Sequence, residues 1–424
     1  MYISVSDRNG GQGGTAQART AVPFRFAPTI AWLGIVSLFT DVSTESVAAV
    51  LPLYLTGYLG LSVIAFGVLD GINQGAGSLV RIAAGWYSDR AGRPKYVALA
   101  GYGLSATARL ALLFAGGFWS LTGTITADRI GKGIRTAPRD ALITVNAQPE
   151  HLARHFGVHR MLDTVGAALG PLLAAAILLL IPSGYSTVFV VSLAFAVIGV
   201  AALALFVPDL PALRVPTASA NRKAGRAPVI GWGTLHRSGL GRLLITAGVF
   251  GLLTVGDGFI YLALQDRNAF ELQLFPMLYV GTNAVFLVLA IPLGRLADRW
   301  GRTKVFIAGH LALLACYLLA ALPFTGAGAV AGCLVLLGIF YAATDGVLTA
   351  LASQLVSPER LATGIGAAQT VVAVSRMAAS AGFGVLWFAV GPTTALIVVG
   401  CLLALALLAS PLLLGAAKAA KVHA

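Results

Sequence analysis

The string Gly85-Trp-Tyr-Ser-Asp89-Arg90-Ala-Gly92-Arg93-Pro-Lys95 returns at 294–304 as Gly294-Arg-Leu-Ala-Asp298-Arg299-Trp-Gly301-Arg302-Thr-Lys304. Each copy closes one apolar run and opens the next. Each therefore predicts a tight charged hairpin between two membrane helices, the glycines permitting the turn and the Arg and Lys residues holding it at the cytoplasmic face. An ordinary basic loop would explain the cations but neither Asp89 and Asp298 nor the glycines. Two copies predict two halves.

The rest of the chain fits a membrane setting. It is 424 residues long, 58% hydrophobic and 11% charged, with mean hydropathy +0.85, a composition that a water-soluble domain could carry only by exposing large apolar patches. A helix needs about 20 apolar residues to cross the hydrocarbon core, and twelve such runs can be placed, at 28–57, 62–87, 95–116, 119–146, 154–181, 186–207, 242–265, 274–297, 303–323, 327–354, 361–388 and 392–415. Alternate connections carry the basic residues: Arg90, Arg93 and Lys95; Arg139 and Arg154; Arg222, Lys223 and Arg226; Arg299, Arg302 and Lys304; Arg360. The connections between them are short and nearly free of Lys and Arg, Arg267 excepted. The positive-inside rule then places both termini in the cytoplasm.

The chain divides into a tail at 1–26, an N-terminal six-helix half at 27–207, a cytoplasmic linker at 208–241, a C-terminal six-helix half at 242–415 and a tail at 416–424. No connection is long enough for a soluble catalytic domain. Residues 1–26 have no apolar core of a cleavable signal and read as a disordered cytoplasmic tail. The net charge of +13 is spread over short loops rather than gathered into one stripe, which argues for topology signals and against nucleic acid. Cys316, Cys333 and Cys401 lie in apolar runs without metal-site spacing, and neither a disulfide framework nor a cofactor is expected.

The duplicated G-x-x-x-D-R-x-G-R string resembles motif A of the major facilitator superfamily, found between helices two and three with an echo between helices eight and nine. The resemblance implies an all-α membrane protein of twelve transmembrane helices in two pseudo-symmetric halves. Such halves face one another across a cavity near the midplane that opens alternately to either side. It also implies a conformational role for Gly85, Asp89, Arg90, Gly92 and Arg93, and for Gly294, Asp298, Arg299, Gly301 and Arg302. Asp89 would sit at the N-terminal end of helix eleven and pair with Arg135 or Arg139 of helix four, and Asp298 would do the same at helix five.

Ionisable groups inside the apolar runs are the functional candidates, because each costs roughly 2.5–3.5 kcal/mol at the bilayer centre on insertion scales. Asp41 and Glu45 lie one turn apart on helix one; Asp41 lines the cavity or caps a broken helix. Asp70 on helix two either joins the cavity or shapes its mouth. Helix four holds Asp128, Arg129, Lys132, Arg135, Arg139 and Asp140, with Asp128, Lys132, Arg135 and Arg139 spaced four, three and four apart along one face. Asp128 one turn before Lys132 is the favourable order for an ion pair. Alternatively, Lys132, Arg135 and Arg139 snorkel to the cytoplasmic surface. The segment Gly131-Lys132-Gly133-Ile-Arg135-Thr-Ala-Pro138-Arg139-Asp140-Ala resembles one found in a bacterial subgroup of the same superfamily, and Phe39-Thr-Asp41-Val-Ser-Thr-Glu45 fits that subgroup too. Arg129 and Gly133 match the superfamily's motif B, which is implicated in proton coupling. Lys132 and Arg135 depart from it and make an anionic substrate an alternative to a cationic drug.

Helix five carries His155, His159 and Asp163 on one face, without an evident fourth ligand for a metal. Gly166, Gly170 and Pro171 resemble the tail of the antiporter motif C, where small residues let backbones approach. The second half offers Asp257, Tyr341, Asp345 and Arg376, and Arg109 on helix three is placed to pair with a carboxylate of the first half. Gly131-Lys132 is not part of a P-loop, since Thr126 stands where the first Gly would be. No HExxH or GxSxG occurs, which argues against an intramembrane enzyme. The expectation is a non-enzymatic secondary transporter of the bacterial inner membrane, functional as a monomer among membrane lipids. It would export a small-molecule substrate against protons; uptake, anion transport and lipid flipping remain alternatives.

Overall fold

The computed structural model describes residues 27–148, 151–209, 240–356 and 361–414. The predicted tails 1–26 and 416–424, the body of the linker (210–239, with Arg222, Lys223 and Arg226) and Arg360 lie outside these residues.

Among the described residues every regular element is helical. The first group comprises α1 (Pro28–Leu53, continued by a π turn at Tyr54–Tyr58), α2 (Val63–Ala91), α3 (Pro94–Leu112), α4 (Phe118–Asn146), α5 (Leu152–Leu180) and α6 (Tyr185–Phe206). The second comprises α7 (Leu240–Leu252), α8 (Asp257–Asn268), α9 (Pro276–Trp300), α10 (Arg302–Ala321), α11 (Ala327–Gln354), α12 (Leu361–Val390) and α13 (Pro392–Leu414). Helices α1–α6 pack chiefly on one another, as do α7–α13; the two groups meet where α2 lies on α12, α5 on α9 and α1 on α8.

Ten helical segments among the described residues are long and apolar enough to cross a membrane by length and composition. The helices α3 and α4, two of the twelve expected spans, fall outside that set. For α4 the reason is its charge: six ionisable residues between Asp128 and Asp140 cancel its apolar content. It is nevertheless embedded, packed against both α2 and α3.

Both motif hairpins are single tight corners. Gly92 ends α2 in the left-handed region at φ 63°, its N–H bonded to the Ser88 carbonyl. Gly301 makes the second corner at φ 101°. A side chain would strain both, so glycine is required there for conformation. We refer to this end of the bundle as the motif end and to the opposite one, with the 113–117, 181–184 and 322–326 turns, as the far end.

One expected span differs. The run 242–265 is two helices, α7 and α8, separated at Leu253-Thr254-Val255-Gly256. The break is held from outside by Tyr317 of α10, whose hydroxyl accepts the Val255 N–H at 2.7 Å and donates to the Leu253 carbonyl at 3.0 Å. Backbone groups at this depth have no water to bond, so a buried hydroxyl that both accepts and donates makes the interruption tolerable. Arg267, the exception among the sparsely charged loops, ties far-end turns together: it donates to the carbonyls of Ala321 (2.7 Å) and Leu322 and to Thr393 (2.8 Å).

Candidate functional site

The charged face of α4 is set by glycine. At about 100° per residue, positions 131 and 133 point to opposite sides of the helix and position 132 bisects them. A side chain on Gly131 would strike Ser105 and the Gly101 carbonyl (2.7 Å) of α3, and one on Gly133 would strike the Gly77 carbonyl of α2. The reciprocal positions are equally tight: Gly101 against the Gly131 carbonyl at 2.8 Å, Gly77 against the Arg129 carbonyl at 2.9 Å. With α3 and α2 pressed onto its two flanks, α4 turns the face of Asp128, Lys132, Arg135 and Arg139 between them, near enough to α3 for Asp128 to meet Arg109 and Arg135 to meet Tyr102. Gly131→Val is expected to lower the yield of monodisperse protein severalfold, because backbone rather than a movable side chain blocks the new methyls; fluorescence-detected size-exclusion chromatography measures it.

Two charge clusters result. The first is a triad: Asp128 accepts from Arg109 of α3 at 2.9 Å and lies 3.0 Å from Arg129. All three are buried, and Arg109 also reaches the Thr44 hydroxyl at 3.5 Å. The expected Asp128–Lys132 pair is replaced by these contacts, since Arg109 comes from a helix held at backbone distance by Gly101 and Gly131.

The second cluster lies about one to three turns toward the motif end and joins α1, α4 and α5. Asp41 of α1 and Asp163 of α5 approach one another beside the cations of α4. Arg135 stands 4.0 Å from Asp41, its guanidinium 4.5 Å over the Tyr102 ring. Arg139 stands 3.8 Å from Asp163 and 3.1 Å from Asp140, and donates to the Ser37 hydroxyl at 3.1 Å. Arg160 closes on Asp163 at 3.3 Å, and His159 approaches Ser37 at 3.5 Å. Lys132 acts on Asp41 electrostatically without an ion pair inside 4.0 Å among the described residues. Arg135 and Arg139, expected as partners of Asp89, are thus engaged with Asp41, Asp140 and Asp163; the Asp89 side chain lies outside the described residues. This cluster depends on α1 and α5 touching, which Gly166 and Gly170 allow: side chains there would meet the Leu38 carbonyl at 2.5 Å and the Ser46 N–H at 2.8 Å. Pro171 is buried in the same helix.

The second group of helices carries a smaller cluster. Tyr341 donates to Asp257, the first residue of α8, at 2.7 Å. Arg376 of α12 lies 4.0 Å from Asp345 and 5.6 Å over the Tyr341 ring. The Asp345 side chain is 54% exposed. Glu45 is partly buried on α1, its backbone against Gly170. Asp70 accepts from Ser380 of α12. Around the hairpins, Arg90 lies over Trp86, Arg93 over Tyr96, and Gly85 meets Ala137 of α4. Asp298 pairs with Arg302 at 3.1 Å within its own hairpin, and Arg302 also donates to the Ala350 carbonyl at 3.0 Å. Asp298 is therefore held on its own side in this conformation, rather than at α5. Arg299 lies in the last turn of α9, and nothing packs where a Gly294 side chain would stand. Among the described residues no group of His, Cys, Asp and Glu is arranged to hold a metal. Tyr102, Ser37, Tyr317 and Ser380 were not expected from the sequence, where neutral hydroxyls in apolar runs carry no signal of their partners.

The family model of the Major Facilitator Superfamily matches residues 32–283 and again 269–423. The chain belongs to that superfamily. It is similar to an uncharacterised MFS-type transporter of Methanocaldococcus jannaschii, 28% identical over 360 residues, 84% of this chain and 87% of that one. An uncharacterised protein of Mycobacterium tuberculosis is 28% identical over 291 residues, 66% of this chain and 68% of its own. Among solved structures, a mutant of the nucleoside transporter NupG superposes with a TM-score of 0.77 at 14% identity, covering 91% of this chain and 100% of that one. A POT family transporter in complex with 5-aminolevulinic acid gives 0.76 at 14% identity, covering 92% and 96%. At such identities these two share the fold. The all-helical major facilitator architecture thus carries a multi-pass membrane transporter, not an enzyme.

Proposed function

We propose that this transporter couples protons to the export of a small molecule by alternating access, with the Asp41–Asp163 pair as the proton site. The observation that carries the reading is the convergence of two carboxylates from α1 and α5 on the cations of α4, with Arg135 4.0 Å from Asp41 and Arg139 3.8 Å from Asp163. A proton taken up by either acid would release its cation, and Arg135 or Arg139 would take the carboxylate back when the proton leaves. Of the candidates on α4, Asp128 suits a structural role better, being clamped by two guanidiniums. The basic hairpins and loops support a cytoplasmic motif end and cytoplasmic termini in a bacterial inner membrane.

Growth protection of an efflux-deficient host by wild type and by Asp163→Asn, against a panel of lipophilic cations and toxic anions, tests the reading. Protection by wild type alone supports proton-linked export and assigns the charge class; equal protection by the variant contradicts the assigned proton site. A second reading, an anionic substrate, is favoured by Lys132, which has no ion pair inside 4.0 Å among the described residues. It predicts that protection falls in the anion arm of the panel.

The family resemblance also gives the motif hairpin a conformational task. Asp89→Asn is expected to leave expression within twofold of wild type while lowering turnover about tenfold, measured as initial export rate per transporter; an unchanged rate would count against it.

A further inference from the structure

The far end of the bundle holds a polar contact between the two groups of helices that no transport motif accounts for. Asp70 lies two turns into α2, and its carboxylate accepts from the Ser380 hydroxyl of α12. The same carboxylate oxygen occupies the place where a side chain on Gly256 would stand, at the start of α8. The first N–H groups of a helix have no partner within it and carry partial positive charge, so the break in helix seven presents its favourable end to Asp70. Gly256 has φ −63°; what it supplies here is room, not a special backbone conformation.

The neighbourhood is built for close approach. Side chains at Gly67 and Gly71 would strike the carbonyls of Ser380 (2.6 Å) and Met377 (2.5 Å), so α2 and α12 touch backbone to backbone on either side of Asp70. One turn beyond Asp70 toward the far end, Phe66 packs edge-on to Phe259 of α8 at 4.7 Å, and Phe259 meets Phe383 at 4.9 Å and Trp387 at 5.6 Å. An apolar plug thus covers the contact from that end. Three helices from two groups, α2, α8 and α12, converge on one carboxylate.

We propose that Asp70 and Ser380 form a latch that holds the far end closed, so that separating the two groups there requires Asp70 to leave both Ser380 and the α8 terminus. The latch joins helices 310 positions apart in sequence and works at the end opposite the motif hairpins. It concerns the conformational equilibrium alone and can be read without any substrate.

The test is a distance measurement. Spin labels are placed at Phe114→Cys, in the turn after α3, and Phe324→Cys, in the turn after α10, both exposed at the far end, with Cys316, Cys333 and Cys401 replaced. Double electron–electron resonance in lipid nanodiscs then reports the separation of the two groups. Ser380→Ala is expected to raise the ratio of the long to the short distance about tenfold or more, Ser380→Thr to keep the parent distribution, and Asp70→Ala/Ser380→Ala to go no further than Asp70→Ala. A Ser380→Ala distribution identical to the parent would overturn the latch, and so would additive shifts in the double variant. Ser380→Ala removes one hydroxyl and no packing volume beyond it, so the test does not depend on whether Asp70→Ala folds.

Discussion

Asp128→Ala is expected to destabilise the folded protein by roughly 3–5 kcal/mol, the range for removing one partner of a buried ion pair. The loss comes from what stays behind. Arg109 and Arg129 both reach Asp128 within 3.0 Å and are themselves buried, so the variant keeps two buried guanidiniums without their shared carboxylate, Arg109 retaining the Thr44 hydroxyl at 3.5 Å. Thermal unfolding of purified protein in detergent measures this as a large drop in Tm with low yield. Taking out the cations as well, in Asp128→Leu/Arg109→Leu/Arg129→Met, should restore most of the loss, since replacing a buried charge set by apolar groups of similar volume is often neutral or better. If Asp128→Ala melts within a degree or two of wild type, the triad is not what holds α3 and α4 together.

The same residue shows what the sequence could and could not disclose. The 4-3-4 spacing of Asp128, Lys132, Arg135 and Arg139 was enough to put them on one face of a helix, and the duplicated hairpin was enough to infer two halves. Which counter-ion each would take was not legible. The local rule favoured Lys132 one turn from Asp128, but Gly101 and Gly131 bring α3 to backbone contact, and Arg109 arrives with it. The interruption of helix seven was hidden for a similar reason: Val255 and Tyr317 lie 62 positions apart, and an apolar run reads the same whether or not a distant hydroxyl splices it. Asp70 could be named as a costly charge, yet Ser380 is one of many hydroxyls in apolar helices and carries no mark of its role. Net burial decides such partners, and burial belongs to the packed bundle.

Asp41→Asn is expected to abolish proton-coupled transport while leaving the protein folded. An amide keeps the volume, but it can neither gain nor lose a proton, so the site can no longer alternate between a protonated acid and a carboxylate held by Arg135. Stability should change little: Arg135 stands 4.0 Å from Asp41 and rests on the Tyr102 ring at 4.5 Å, so it is not left bare. The contrast with Asp128 is informative. One carboxylate is predicted to matter for folding and the other for coupling, although both sit on the charged core of the first six helices. A variant that unfolds at Asp41→Asn, together with an Asp128→Ala that folds normally and loses coupling, would reverse the two roles.

The measurement that tests the account most directly follows proton movement itself. Everted membrane vesicles carrying wild type or Asp41→Asn are energised by respiration, and a pH-sensitive dye reports the gradient as each compound from the growth panel is added. The account predicts that the compounds exported by wild type partly dissipate the gradient in wild-type vesicles and leave it intact with Asp41→Asn. Equal dissipation in the two preparations, or accumulation of the same compounds at an undiminished rate after an ionophore has collapsed the gradient, would contradict it.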